Sequence, residues 1–322
     1  MTTPNLSEIV TTTLRKRSGK LADNVSENTA LLQRLRKKGN SRLVSGGRTL
    51  VQELEYAENS TYKRYSGYET LDISPSEVFT AAEFDWKQAA VAVSISGLEQ
   101  LQNSGGEQVI DLLESRIKNA ERTMVNNISG DVYSDGTADG GKQIGGLQLL
   151  VADAPTSGTV GGIDRATWTF WQNQVYDFSD ESATPGSDTI QTAMNDLWLE
   201  TVRNNDKPDL IVADNIYFKY YWESLQANQR FMSDEMASAG FDSLKFMSAD
   251  VVFDGGLGGS APGSHMYFLN TDFIHLKTHR DRNFAPLDPD RFATNQDAMV
   301  KMIGYAGNMC LSNASLQGVI VA

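Results

Sequence analysis

The run from Ser104 to Gly130, SGGEQVIDLLESRIKNAERTMVNNISG, constrains this chain more than any other stretch. Ser104 followed three residues later by Glu107 is a capping box, in which the hydroxyl and the carboxylate each satisfy a backbone amide at the helix start. Apolar residues then recur at Val109, Leu113, Ile117, Ala120, Met124 and Ile128, in steps of four or three that hold one stripe on one face, and Glu114 stands four residues before Lys118. Gly130 is placed for a left-handed cap. The spacing predicts a helix of roughly 38 Å, which needs an elongated partner. Ala298–Ser312, AMVKMIGYAGNMCLS, is apolar on both parities and as a strand would extend roughly 50 Å. The two are expected to run side by side.

Ahead of the helix, Gly46 and Gly47 break the chain before a strand at Arg48–Tyr56, where Leu50, Gln52, Leu54 and Tyr56 share one face. The chain returns through Val78–Gly97. Phe84 and Trp86 lie on one parity and Val91, Val93 and Ile95 on the other, so a bulge or bend is expected near Gln88–Ala90. Between the two strands, ENSTYKRYSGYETLDISPS has too few apolar residues to make a core of its own. The hairpin is expected to project, with Tyr62, Lys63, Arg64, Tyr65 and Tyr68 at its tip placed to grip a neighbouring molecule.

Beyond the helix, Ala166–Val175 reads as an aromatic strand, and DFSDESATPGSD as a boundary between domains. Thr189–Arg203 is an amphipathic helix. DLIVAD is a buried strand after Pro208, and Asp214 caps the helix NIYFKYYWESLQ. Strands at Ala249–Asp254, His265–Leu269 and Phe273–Lys277 complete a small mixed sheet, so the fold class is α+β.

The chain of 322 residues is 40% hydrophobic and 21% charged, a globular composition. No apolar run approaches the roughly 18 residues that span a bilayer, and MTTPNLSEIVTTTLRKR has no apolar signal-peptide core, so no membrane partner is expected. Charge is unevenly placed. Residues 1–42 hold nine basic side chains against three acidic ones in a chain of net charge −13, a basic arm on an acidic body. Such an arm suits either nucleic acid or an acidic face of another copy.

No catalytic constellation stands out. Asp131, Asp135 and Asp139 lack the spacing of a calcium loop, and a metal-dependent hydrolase built on them is the weak alternative. His275 and His279 on one strand would lie roughly 13 Å apart, too far to share an ion, and His265 stands apart from both. GGLGGSAPG lacks the Lys-Ser/Thr ending of a phosphate loop and leads into a strand. Cys310, the sole cysteine, lies in an apolar strand. No catalytic residue, metal or cofactor is expected.

The order of parts resembles the major capsid proteins of tailed bacteriophages, whose fold recurs in encapsulin shells. Segments such as GGRTLVQELEYAENSTYKRYSGYETLDISPSEVFTAAEFDWKQAAVAVSISGLEQLQNSG, IDLLESRIKNAERTM, PDLIVADNIYFKYYWESLQ and DRFATNQDAMVKMIGYAGNM are similar to those of phage coat proteins, and the resemblance covers nearly the whole chain. It implies an N-terminal arm over 1–45, an extended loop over 46–97, a peripheral domain over 98–187 with a spine helix at 104–129, an axial domain over 188–290 and a return strand of the peripheral domain over 291–322. It implies a structural subunit of an icosahedral shell around double-stranded DNA, found in the virion and assembled in the bacterial cytoplasm, with an encapsulin-like compartment as the alternative. Implied partners are other copies in pentamers and hexamers, a separate scaffolding protein, a portal, a decoration protein and packaged DNA held by non-specific contacts. Arg15, Lys16, Arg17, Arg34 and Arg36 in the arm join the five tip residues as expected contacts between subunits.

Overall fold

A computed structural model describes residues 29–102, 106–225, 243–255, 259–292 and 297–322. Two short helices, α1 (Ala30–Lys38) and α2 (Gly97–Gln102), precede the long one, α3 (Gly106–Asp131). The predicted stripe is its buried face: Ile117, Ala120, Met124 and Ile128 are all withdrawn from solvent. Ser104 lies outside the described residues, and so does its capping box. At the other end Gly130 stays helical, and the left-handed turn falls instead at Gly136, with φ 75°. The reason is local. The amides of Tyr133 and Ser134 donate to the carbonyls of Gly130 and Asp131 at 3.0 and 3.1 Å, tightening the last turn so that no glycine cap is needed there. Gly146 then passes so close that a Cβ on it would stand 2.4 Å from the carbonyl oxygens of Asp131 and Val132.

The strands are β1 (Ser41–Val44), β2 (Leu50–Glu55), β3 (Phe79–Phe84), β4 (Lys87–Ser96), β5 (Thr159–Val160), β6 (Ile163–Asp164), β7 (Gln174–Asp177), β8 (Leu210–Ala213), β9 (Ser243–Phe246), β10 (Ala249–Phe253), β11 (Met266–Leu269), β12 (Ile274–His279), β13 (Ala285–Phe292), β14 (Ala298–Leu311) and β15 (Gly318–Val321). The long β14 organises one sheet. It pairs antiparallel with β4 from Ala298 opposite Ser96 to Gly307 opposite Lys87, and with β12 and β13, while β1 adds to β12 in parallel. Helix α3 packs on β4, so the long helix and the long strand are parts of one layered unit with β4 between them.

The second sheet runs β7-β15-β11-β8-β10-β9. Alternating side chains divide it between two cores. Ile211, Ala213, Val251, Met266, Phe268 and Ile320 pack against α4 (Ile190–Thr201) and α5 (Asn215–Ser224). Leu210, Val212, Val252, Tyr267, Leu269 and Val319 face the other way, into the core shared with α1 and α3. Asp214 caps α5 as expected, accepting from the Tyr217 amide at 2.8 Å.

Several boundaries differ from the sequence reading. Strands β7 and β15 lie outside the span 188–290 expected for the axial unit, yet both belong to its sheet, because Gly318–Val321 is buried on both faces and fills the slot between β7 and β11. Conversely β12 and most of β13 lie inside that span and pair with β14. Ala166–Val175 is not one strand. Asp164 accepts from Ala166 and Thr167, and this local bonding competes with extension, so the chain makes a 3₁₀ turn at Thr169–Trp171 before β7 begins. The hairpin proper is β2 with β3, and the chain leaves it at Asp85–Trp86, just before the expected bend. There the Trp86 ring nitrogen donates to the Gly47 carbonyl at 2.9 Å and Asn308 donates to the Asp85 carbonyl at 2.9 Å, which turns the next residues toward β14.

The described part of the expected N-terminal arm is docked. Leu31, Leu32 and Leu35 of α1 are buried, Gly39 closes the helix at φ 76°, and Asn40 donates from its side chain to the Thr271 carbonyl at 2.7 Å before β1 enters the sheet. Leu31, Leu32 and Leu35 therefore form one short apolar face. No helix among the described residues is long and apolar enough to cross a membrane.

Ile117 is fully buried, so Ile117→Ala should lower unfolding stability by about 2–5 kcal/mol in denaturant titrations. His275 is buried on β12 with Nδ1 unpartnered, and burial, aided by the charges of Arg42 and Lys277, pulls its pKa down to about 4 from the ordinary 6.5. The unfolded chain therefore binds the proton first as pH falls. Stability should drop between about pH 6.5 and 4 on this account, and His275→Gln should flatten that part of the stability–pH curve.

Candidate functional site

Candidate surfaces lie at the two ends of the hairpin and along α1. The two strands of the hairpin are fastened to the body at both ends of their ladder. Tyr56 meets Phe170 and Trp168 at ring separations of 5.5 and 6.0 Å, and the Glu83 amide donates to the Gly161 carbonyl at 2.9 Å. Gly161 and Gly162, both at positive φ, form the tight turn between β5 and β6, and a Cβ on Gly161 would meet the Cβ of Ala82 at 2.9 Å. The body thus presents a glycine backbone for the hairpin to lie against.

The tip is held differently. Among the described residues, the hydrogen bonds and ion pairs of 59–76 close within the tip: Asn59 accepts from Thr61, Asp72 accepts from the Ser74 amide at 2.9 Å, and Lys63 pairs with Glu69 at 3.1 Å. The Arg64 guanidinium sits 5.8 Å from the centre of the Tyr62 ring. Tyr62, Tyr65, Tyr68, Leu71, Ile73 and Phe79 are all exposed, Ile73 at 93% of its full area. An apolar set of that size stands uncovered in the single chain.

Helix α1 carries the second feature. Arg34 points inward, with its guanidinium on Asp250 and 3.7 Å from Asp209, while Lys38 reaches Asp209 at 3.2 Å and Asp272 at 2.9 Å. These carboxylates stand at or beside the starts of β8, β10 and β12, so two basic residues of α1 neutralise an acidic edge where the two sheets meet. Arg34, expected to contact a neighbour, is thus occupied within its own chain. Arg36 is exposed on the same helix, and Arg15, Lys16 and Arg17 lie outside the described residues.

No protein-family model matches this sequence, and no curated protein does. Solved structures do. The capsid asymmetric unit of cyanophage A-1(L) superposes with a TM-score of 0.61 at 15% identity over 87% of this chain and 89% of that one. The chain has the phage capsid fold. The capsid of Myoviridae phage XM1 gives a TM-score of 0.51 at 11% identity over 89% and 91% of the two chains, and the capsid of an empty GTA particle 0.54 at 8% over 89% and 88%.

Within this capsid fold the residues considered for chemistry do not converge. Asp135 accepts from the amide and hydroxyl of Thr137, and Asp131 accepts from Gln143 at 2.7 Å, its carboxyl pushed up chiefly by burial. Asp139 stands in a left-handed turn with φ 55°. No group of three His, Cys, Asp or Glu side chains among the described residues is arranged to hold a metal ion. Burial pushes the Cys310 thiol up to about 12, far from the thiolate that reacts.

Two polar ties escaped the sequence reading. One is the Arg34 cluster, whose partners lie more than a hundred residues away. The other joins the hydroxyl of Tyr133, just past α3, to Asp254 at the end of β10; burial raises the pKa of both groups. The only sequence signal for either was an acid placed next to a buried strand. Arg34→Ala should leave Asp250 buried without its cation and cost roughly 3–5 kcal/mol, measured as a lowered denaturation midpoint.

Proposed function

We propose that this chain is the structural subunit of an icosahedral phage capsid, copies of which assemble into the shell that encloses double-stranded DNA. The observation that carries it is the hairpin tip: five exposed apolar or aromatic side chains, with Phe79 exposed on the anchored stalk beside them, in a chain with the capsid fold. A soluble monomer gains nothing by exposing them, whereas a neighbouring copy that covers them gains apolar burial and aromatic contacts. The contact is between unlike patches, tip against body, so repetition closes into rings, and rings of five and six close into a shell.

In this reading the chain acts by shape and adhesion and needs no catalytic residue. Tyr62, Lys63, Arg64, Tyr65 and Tyr68 supply contacts between subunits, and Arg36 with Arg15, Lys16 and Arg17 meets acidic neighbours or DNA phosphates without sequence preference. A portal, a scaffolding protein and a decoration protein would complete the particle. Its acidic remainder limits adhesion to the packaged polyanion.

Deleting residues 60–72 tests it. The shortened chain should keep its thermal unfolding transition, because the tip bonds only to itself among the described residues, but negative-stain micrographs should show no closed shells where the full chain makes them. Intact shells from the deletion would overturn the role given to the tip, and a full chain that stays monomeric under all assembly conditions would overturn the function. DNA-free shells packed with a protein cargo would point to a compartment instead.

A further inference from the structure

Three carboxylates gather where the parallel strands β8 and β10 end. Asp214 takes the Tyr217 amide on one oxygen and the Ser264 amide on the other, at 2.8 and 2.7 Å. Asp254 is engaged by Tyr133, and Asp153 reaches in from the loop after Leu150. His265, the residue before β11, lies against this group. Its Nε2 is 3.1 Å from Asp153 Oδ2 and its Nδ1 is 2.7 Å from the Gly263 carbonyl oxygen.

Both ring nitrogens therefore face oxygens that can only accept. A neutral imidazole owns one N–H, so in that form one nitrogen lone pair must oppose an oxygen lone pair; the imidazolium donates to both. The geometry selects the cation. The ring stacks on Tyr267 at 5.9 Å between centres, and the imidazole keeps only 15% of its exposure while Asp153 keeps 51%.

The loop that carries Asp153 is pinned at both ends. Ala152 exchanges two hydrogen bonds with the side chain of Asn173, at 3.0 and 2.9 Å, and the Gly158 carbonyl accepts from the Arg165 amide at 3.0 Å. Between those points the contact of Asp153 with His265 ties the loop to the start of β11. We propose that His265 is a proton-operated latch between this loop and the carboxyl end of the six-stranded sheet, closed while the imidazole holds two protons and open when it loses one.

The groups around the ring set its direction. Burial, the largest single influence, lowers the His265 pKa, but the hydrogen bond to Asp153, the Gly263 carbonyl and the charges of Asp153 and Asp214 together outweigh it, and the net direction is upward from 6.5. A raised folded value means that the latch contributes fully below the ordinary histidine value and fades as pH rises through the folded one. Asp254 answers to Tyr133, and Tyr267 stays a neutral phenol, its proton held well above the ordinary range by burial. Opening is confined to Asp153–Ser157, since Ala152 and Gly158 keep their own partners. The latch does not depend on the shell function: it is a property of the single chain.

Titration of the three histidines in the full chain by NMR, with hydrogen exchange of the Ala154, Thr156 and Ser157 amides in wild type and Asp153→Asn, tests it. The expected result is a His265 midpoint above 6.5, and severalfold stronger protection in wild type than in Asp153→Asn at about pH 5.5 that converges at about pH 8.5. A His265 midpoint at or below 6.5, or equal protection in the two proteins at both pH values, overturns the latch. Should Asp153→Asn fail to fold, the wild-type midpoint decides alone.

Discussion

Burial of the central strands of the six-stranded sheet on both faces is the constraint on which the rest of the structure depends. Strands β7, β8, β10, β11 and β15 contribute residues to two cores, so the helices α4 and α5 on one side and the unit of α1, α3 and β14 on the other are held by the same backbone. Removing side chains from one face therefore loosens a layer that also supports the opposite face. The short strands Leu210–Ala213, Met266–Leu269 and Gly318–Val321 are buried throughout, as a central layer requires.

The polar ties follow from that layering. Burying strands on both faces leaves their polar ends at the seam between layers, and there Arg34 meets Asp209 and Asp250, Tyr133 meets Asp254, and His265 meets Asp153. The first two ties cross between helices and the six-stranded sheet and fix how one layer sits on the other, the third holds a loop to the start of β11, and the apolar contacts supply most of the burial. Two histidines respond to acid in opposite senses within this frame: His275 is destabilised by gaining a proton, and His265 is secured by it.

Much of this was readable in the residues because it is written in local periods. The stripe Ile117, Ala120, Met124, Ile128 faces the core as its spacing required, Asp214 caps its helix, and the unbroken apolar run after Ala298 is the central strand of its sheet. What escaped was non-local or competitive. Nothing near Gly318–Val321 says that it will slot between β7 and β11, because strand order is set by partners far away in sequence. The aromatic run at Ala166–Val175 has strand propensity, but Asp164 bonds to its first residues and turns it. At the candidate site, the exposed tyrosines of the tip followed from a hairpin too polar to form its own core, whereas the inward turn of Arg34 depended on acids that only the folded sheet brings to α1.

The isolation of Cys310 has a practical consequence. It is the sole thiol, lies in β14 with no solvent contact, and is held in its unreactive protonated form. A thiol introduced on the exposed hairpin, as in Ser66→Cys, would be the single site open to maleimide reagents. A dye or spin label attached at that one place would report whether a neighbouring copy covers the tip, without first removing the native thiol.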